Sequence, residues 1–265
     1  MTPPLPPVVP FLGLTITPID TAATVRLIAE RPAEAPLVYL ITPNAQHVVA
    51  LDRGDANFAR VHAHAWLVTC DSQIIRLLGR LLFGLRLPLA TGSDITLHLL
   101  KDGIVKPDEP VTIIGGDQPL FDALRAQYGL RNIAHHEPPM GLVRNPAAIE
   151  AAARFIIDHP ARFVFIACSC PQSEMVALRA IELGGAVGVA LCVGGSLKFA
   201  TGLVQRAPQW VRRLALESLY RLLQNPRGHS RRVFKESLPV VWVAIKERFG
   251  FKRAPALPPA GGGAP

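Results

Sequence analysis

The chain has 265 residues, of which 49% are apolar and 18% charged, and its formal net charge is +8 at pH 7. This fits a globular protein with one large domain, or one domain and an appendage, whose basic surplus indicates a phosphate-bearing or membrane-surface partner. No stretch reaches about 18 uninterrupted apolar residues, and the proline-rich N-terminus lacks a basic start, so we expect neither a membrane-spanning helix nor a secretory signal.

Apolar runs typical of β-strands alternate with amphipathic segments typical of helices, up to about residue 202. The predicted strands are 36–42 (PLVYLIT), 66–70 (WLVTC), 111–116 (VTIIGG), 161–170 (ARFVFIACSC) and 186–195 (AVGVALCVGG). The predicted helices are 45–65, 72–85, 118–129, 147–160 and 171–185. Near-continuous apolar strands separated by amphipathic helices predict an α/β fold, in which helices cover both faces of a parallel sheet.

Polar or glycine-containing turns follow four of the predicted strands. In an open parallel sheet, ligands bind beyond the carboxyl ends of the strands. The turns that mark this candidate site are Thr42-Pro43-Asn44, Asp71-Ser72, Gly115-Gly116 and Cys170-Pro171-Gln172. From the local sequence alone, each is explained equally well as a plain tight turn.

The positive charge is concentrated in residues 203–253, which contain twelve Lys/Arg and three Asp/Glu. Apolar and aromatic residues recur there at helical spacing from Pro208 to Asn225-Pro226, and 238–249 forms a second amphipathic run. Basic helices with an aromatic and aliphatic face suit an anionic membrane surface. The alternative is a helix packed on the core with a solvated basic face. We expect no nucleic-acid partner, because no recognised reading motif accompanies the charge.

The cysteines and histidines give no convincing metal-binding spacing. Cys70, Cys168, Cys170 and Cys192 lie in or beside apolar runs, which predicts buried free thiols. The Cys168/Cys170 pair lacks a second pair of ligands, and His135-His136-Glu137 is interpreted as a polar loop. The absence of G-x-G-x-x-G after an early strand argues against a Rossmann-like dehydrogenase.

Eight stretches of the chain are informative when they are taken together, in their order and spacing. They are FLGLTITPID, TPNAQHVVALDRGDANF, the Asp of WLVTCDS, ATGSDIT, VTIIGG, PPMG, HPARFVFIACSCPQSE and GGSLKFATGLVQRAPQWVRRLALESLYRLLQNPR. In this order and spacing, over about residues 10–235, they resemble the WecG/TagA/CpsF glycosyltransferases of bacterial surface polysaccharide synthesis. Such proteins have a Rossmann-like sheet, and their C-terminal appendage is thought to complete the site at the membrane.

The resemblance implies inverting transfer of a sugar from a UDP-sugar to a polyprenyl-diphosphate-linked sugar. The donor sugar would be N-acetylmannosamine, its uronic acid, glucose or similar. The protein would be cytoplasmic and peripheral on the inner face of the cytoplasmic membrane, with an anionic membrane surface as partner. A homo-oligomer is compatible with the sequence, which does not give the oligomeric state. The implied domains are a Rossmann-like transferase domain (1–202), a basic membrane-associating appendage (203–253) and a disordered tail (254–265).

Inverting transfer needs a base for the acceptor hydroxyl and a means of stabilising the departing diphosphate. The resemblance implies that the base is Asp71, in the family's Asp-Gly position, with the Thr-x-Asn element close to it. The candidate substrate-binding residues are Thr42, Asn44, Arg86, Gly115, Gly116, Gln172, Ser173, Glu174, Gly194, Gly195 and Arg206. We expect no cofactor and a metal-independent reaction.

Four positions depart from the family pattern near the expected pocket. Ser72 stands where the family usually has Gly, Leu89 where it has Arg, Ser173 where it has Gln, and Lys198 where it has Asp. Arg86, three residues before Leu89, is a candidate substitute for the missing Arg. The departures fit two hypotheses: a changed donor sugar, or a non-catalytic homologue that binds nucleotide-sugar or partners in a polysaccharide assembly complex.

Overall fold

The computed structural model describes residues 5–208, 211, 220, 234 and 238–250. Its strands are β1 Val9–Phe11, β2 Leu14–Ile16, β3 Val38–Ile41, β4 Leu67–Val68, β5 Val111–Ile114, β6 Ile133–His136, β7 Phe163–Ile166 and β8 Val189–Cys192. Its helices are α1 Thr21–Glu30, α2 Ala45–Asp52, α3 Ala56–Ala63, α4 Gln73–Phe83, α5 Gly92–Lys101, α6 Gln118–Tyr128, α7 Pro146–Asp158, α8 Gln172–Leu183, α9 Ser196–Ala200 and α10 Pro239–Arg248. A 3₁₀ turn covers Leu142–Arg144.

A six-stranded parallel sheet organises the molecule, with strand order β4-β3-β8-β7-β5-β6. A separate antiparallel hairpin is formed by β1 and β2. The α/β prediction and the Rossmann-like parallel sheet are confirmed, because helices pack on both faces of this sheet.

Alternate residues of each central strand supply two separate cores. In β7, Phe163 and Phe165 face a core shared with α1, α5, α6 and α9. Val164 and Ile166 face the other core, which they share with α3, α7 and α8. Because both faces are covered, the sequences of the strands are continuous apolar runs. Polar groups of the sheet reach solvent at its edges.

A third core joins the N-terminal hairpin to α2, α4 and α10. Val240, Val243 and Ala244 of α10 are buried there beside Val48 and Ile75. The ends of the described chain also meet, since Leu12 N–H donates to Glu247 Oε1 (3.2 Å) and Lys246 pairs with Asp52 (2.7 Å).

Within the predicted basic appendage, α10 confirms that the run 238–249 is helical and shows that one of its faces packs on the core. The helix predicted from Pro208 to Asn225-Pro226 lies outside the described residues, apart from Pro208 itself, Val211 and Tyr220. The predicted disordered tail is also outside them. Among the helices that the structure describes, none is long and apolar enough to cross a membrane.

The five predicted strands and four of the predicted helices are confirmed, but two predictions are wrong. The predicted helix 45–65 is two helices, because Gly54 adopts φ +78° and Asp55 caps the start of α3. The predicted polar loop at His135-His136 belongs to β6, which pairs with β5 at the edge of the sheet. An edge strand is half-buried and therefore needs no apolar run.

The packing of α10 predicts a difference between two adjacent valines. Val240 is fully buried and Val241 is exposed. We expect Val240→Ala to lower the free energy of unfolding by about 2 kcal/mol, because two buried methyl groups are lost. The matched control Val241→Ala should change it by less than about 0.5 kcal/mol. Urea denaturation measures both, and equal effects would contradict the packing of α10 on the core.

Candidate active site

A pocket of about 220 Å³ opens at the carboxyl edge of the sheet, between the ends of β8, β7, β5 and β6. It lies at the topological switch point, since β5 continues outward to β6 whereas β7 continues the other way to β8. The polar and glycine positions that line it are Gly116, Asp117, Glu137, Gly194, Gly195 and Lys198.

Glycines bring the backbone close to this pocket from two strands. Gly116 has φ +101° and Gly194 has φ +53°, in the left-handed region that L side chains rarely adopt. Gly115 has φ +82° and sits behind the pocket, where a Cβ would lie 3.4 Å from the Ala167 carbonyl oxygen. The two predicted glycine pairs thus meet around one space, with Gly115 as its support.

An ion pair spans the mouth of the pocket. Lys198 Nζ lies 2.6 Å from Asp117 Oδ2, while Asp117 Oδ1 accepts from Leu120 N–H and caps α6. The hydrogen bond from Lys198 lowers the pKa of Asp117 below its usual value. Lys198 thus lines the pocket together with Gly116, Gly194 and Gly195.

Asp71 lies at the opposite end of the same edge, just beyond β4. Thr42, which follows β3, is buried and donates from Oγ1 to Asp71 Oδ2 (3.2 Å). The backbone N–H of Asp71 donates to the Pro43 carbonyl oxygen (3.3 Å). The partly exposed carboxylate is thus held by the turn after β3, so Thr42 positions Asp71 instead of facing a ligand itself.

The serine that follows Asp71 fits the local backbone. Ser72 has φ −120°, so this position does not require the glycine that the family usually has. Its Oγ accepts from Ile75 N–H (3.4 Å) and caps α4. The departure at Ser72 therefore leaves the turn intact.

Helix α5 begins against Thr42. A Cβ on Gly92 would lie 3.0 Å from Thr42 Oγ1, 3.3 Å from Val193 and 3.4 Å from Ser196. This contact connects the Asp71 end of the edge with the end of β8. It also explains why ATGSDIT has a glycine at position 92, because a side chain there would be crowded by these neighbours.

The predicted arginines occupy different places. Arg206 pairs through Nη1 with Asp94 Oδ1 (2.6 Å), near the start of α5. Arg86 is exposed in the connection between α4 and α5. The arginine that contacts this connection is Arg76, whose Nε donates to the Leu87 carbonyl oxygen (2.8 Å). The sequence reasoning missed Arg76 because it belongs to α4, one turn after Ser72.

The first turn of α8, which follows β7, contributes buried side chains. Ser173 and Glu174 are 1% and 2% exposed, and Ser173 Oγ lies within hydrogen-bond distance of the Cys168 carbonyl oxygen and Glu174 Oε2. Gln172 is half-buried, and its Nε2 donates to Ser169 Oγ (3.1 Å). Gln172 is therefore the member of the predicted trio that is accessible to a ligand.

His47, Cys170 and Glu174 form a cluster that the sequence reasoning missed, because His47 and Cys170 are 123 residues apart. Their ligand atoms lie within 4.8 Å of one another, which is close enough to consider a metal. However, His47 Nδ1 lies 3.2 Å from the Asn44 backbone nitrogen, whose N–H can only donate, and equally far from Asn44 Oδ1. We assign Nδ1 as the acceptor of that N–H, which places the hydrogen on Nε2 and leaves no lone pair there for an ion. This donor set fits a hydrogen-bonded cluster better than a metal site.

The family model for "Glycosyl transferase WecG/TagA/CpsF family" matches residues 9–254. The match covers the sheet, the pocket and α10. The chain belongs to this family of glycosyltransferases, and the suspected resemblance is confirmed. The family implies, in general terms, a nucleotide-sugar donor and a lipid-linked acceptor for polysaccharide biosynthesis.

The pocket geometry predicts a phosphate-dependent role for Lys198. Lys198→Met should weaken binding of UDP about tenfold and binding of UMP much less, because a charge-assisted contact to the second phosphate is lost. Calorimetric titration measures both affinities. Lys101→Met, at the exposed C-terminal end of α5, serves as a matched control and should bind UDP normally. Equal losses for UDP and UMP would contradict a diphosphate contact.

Proposed function

We propose that the protein is an inverting, metal-independent transferase that moves a sugar from a UDP-sugar to a polyprenyl-diphosphate-linked sugar. The observation that carries this proposal is the Asp71 carboxylate, held by Thr42 at one end of the sheet edge and apart from a glycine-lined pocket that contains Lys198. The family supplies the coarser role in polysaccharide biosynthesis. The donor sugars that fit the resemblance are N-acetylmannosamine, its uronic acid and glucose.

The arrangement suits a single displacement. Strands β4 and β8 are two positions apart in the sheet, which separates Asp71 from the near side of the pocket by about 10 Å. A donor whose diphosphate lies in the pocket would present its anomeric carbon between the pocket and Asp71. The base and the leaving group would then act from opposite sides of that carbon, as inversion requires.

Asp71 and the pocket would act on different groups in the reaction. Asp71 would accept the proton of the acceptor hydroxyl while that oxygen attacks, with Thr42 keeping the carboxylate oriented. The departing diphosphate would gain charge beside Lys198 and the amides at Gly116 and Gly194. Lys198 would exchange Asp117 for phosphate, which gives this chain a cation where the family usually has Asp.

A membrane partner is supported by exposed apolar groups on two packed helices. Leu77 and Leu81 project from α4 (48% and 70% exposed), and Trp242 projects from α10 (61% exposed). Arg80 and Arg248 are exposed on the same two helices. Helix α4 starts two residues after Asp71 and is about 16 Å long, so a membrane along it would hold a lipid-linked acceptor near the base. We therefore propose a peripheral location on the inner face of the cytoplasmic membrane.

Replacement of the base tests the proposed function directly. Asp71→Asn should lower the transfer rate by a factor of about 10² to 10⁴, because the side chain keeps its shape but cannot accept the proton. The assay incubates the protein with a panel of UDP-sugars and a synthetic polyprenyl-diphosphate-sugar, and detects the disaccharide-lipid by mass spectrometry. UDP affinity should stay near that of the wild type.

Asp122→Asn, at an exposed position of α6, is the matched control and should transfer sugar at the wild-type rate. Transfer by Asp71→Asn at an undiminished rate would refute the assignment of the base. UDP-sugar binding without transfer by the wild type would instead support a non-catalytic homologue, the hypothesis that the departures at Leu89, Ser173 and Lys198 leave open.

The membrane proposal predicts a role for Trp242. Trp242→Ala should lower the partition coefficient onto vesicles of mixed phosphatidylglycerol and phosphatidylcholine about tenfold, because an interfacial aromatic side chain is lost. Sedimentation with vesicles measures it. Met140→Ala, which removes an exposed apolar side chain from the loop after β6, should bind as the wild type does. Equal partition of Trp242→Ala and wild type would count against contact through α10.

A further inference from the structure

Buried hydrogen bonds connect the turn after β3 with the loop after β7. Asn44 N–H donates to His47 Nδ1 (3.2 Å), and His47 Nε2 lies 2.9 Å from Cys170 Sγ. The same Nε2 is 3.8 Å from Glu174 Oε1. His47 and Glu174 are 3% and 2% exposed, so these contacts are shielded from water.

The direction of each bond follows from the first one. Nδ1 lies 3.2 Å from both the Asn44 backbone nitrogen and Asn44 Oδ1. The backbone N–H can only donate, and Oδ1 already accepts from Gln46 N–H, so we assign Nδ1 as the acceptor and place the ring hydrogen on Nε2. Nε2–H then donates to Cys170 Sγ, which leaves the thiol hydrogen directed to Glu174. Burial, followed by the charge of Glu174 and a hydrogen bond to it, raises the pKa of Cys170 well above its usual value. The thiol therefore stays protonated, as the series of bonds requires.

The neighbours of His47 fit this arrangement. The rings of Phe58 and His62 meet it edge-on, with centroids 5.4 Å away in both cases. Burial, with a smaller effect from His47, lowers the pKa of His62 well below its usual value, so His62 is neutral. The imidazole of His47 is thus fixed in orientation by apolar contacts as well as by its hydrogen bonds.

Asn44 is the residue on which these contacts act. Its Oδ1 accepts from Gln46 N–H (2.9 Å) and caps α2, so its amide Nδ2 is the donor that it can offer to a ligand. Asn44 lies two residues after Thr42, which holds Asp71. A shift of the turn at Asn44 would therefore displace its amide, whereas the Thr42–Asp71 hydrogen bond holds the carboxylate separately.

We propose that His47 is a positioning residue that fixes Asn44 for the transfer step by linking its backbone to Cys170 and Glu174. This inference rests on the proposed function, because the step that it serves is sugar transfer. The expected effect of breaking the link is a loss of kcat of about tenfold, with KM for the donor changed less than twofold, since small displacements of reacting groups are costly.

Three variants at His47 separate the linking role from local capping. His47→Leu removes every hydrogen bond of the ring but fills similar volume, so the protein should fold. His47→Asn places an oxygen near the position of Nδ1 and keeps an acceptor for Asn44 N–H, but it does not reach Cys170. Both should lose kcat about tenfold. His47→Gln, which reaches Cys170, should recover part of the loss.

Cys170, which contacts His47 Nε2, offers an independent pair of variants. Cys170→Ala ends the series of bonds beyond His47 and should lower kcat to the same extent. Cys170→Ser retains a group that both accepts and donates, and it should restore activity. The exposed His98→Leu is the matched control and should match the wild type.

A double-mutant cycle distinguishes positioning from a general structural role. In an Asn44→Ala background, His47→Leu should have no further effect on kcat, because the group that it positions is absent. An equal loss of kcat with and without the Asn44 amide would overturn the proposal. Wild-type kcat in His47→Asn would also overturn it, since capping alone would then suffice.

The tautomer of His47 is a readout that does not depend on activity. Proton–nitrogen correlation spectra of the imidazole rings should place the hydrogen of His47 on Nε2. A hydrogen on Nδ1, or a cobalt–thiolate absorption band that appears with Co²⁺ and disappears in Cys170→Ser, would refute the hydrogen-bond series in favour of a metal site. If the wild type transfers no sugar, the proposed function and the positioning role fail, whereas the series of bonds is still decided by the spectra.

Discussion

The covering of both faces of the parallel sheet is the constraint on which the rest of the structure depends. With Phe163 and Phe165 committed to one core and Val164 and Ile166 to the other, the interior of the sheet has no place for reactive polar groups. They collect where the strands end, at one edge. Asp71, the two glycine pairs and Lys198 are all found there, although they follow three different strands, β4, β5 and β8.

Two kinds of hydrogen bond fix the positions of the residues at this edge of the sheet. Short local bonds cap the helices that start at the site, as Ser72 does for α4 and Asn44 for α2. Long-range bonds then join one strand end to another, as Thr42 does to Asp71 and His47 to Cys170. The first kind sets where each helix points, and the second sets the spacing between neighbouring turns. The proposed transfer, which depends on the distance between Asp71 and the pocket, needs both.

Five of the six strands of the parallel sheet, most helices and the edge that bears the site could be predicted from the sequence, because they follow from hydrophobic period and turn chemistry. Strand β6 could not, since an edge strand carries half-buried histidines and lacks an apolar run. The contacts of His47 could not be predicted either, because they join residues far apart in the chain. The environment of Ser173 depends in the same way on tertiary packing, which buries a side chain that the family pattern places in the substrate-binding set.

The return of α10 to the N-terminal hairpin has a consequence for biosynthesis. Helices α2 and α4, which begin at Asn44 and Ser72, complete their packing only against Val240, Val243 and Ala244. A ribosome must therefore translate nearly the whole chain before the segments beside the base have their full set of neighbours. A nascent chain that has emerged only as far as α9 would hold the residues of the pocket, whereas the segments beside Asp71 would lack part of their packing. The packing around Asp71 is thereby completed only when the segment that carries Trp242 is also present.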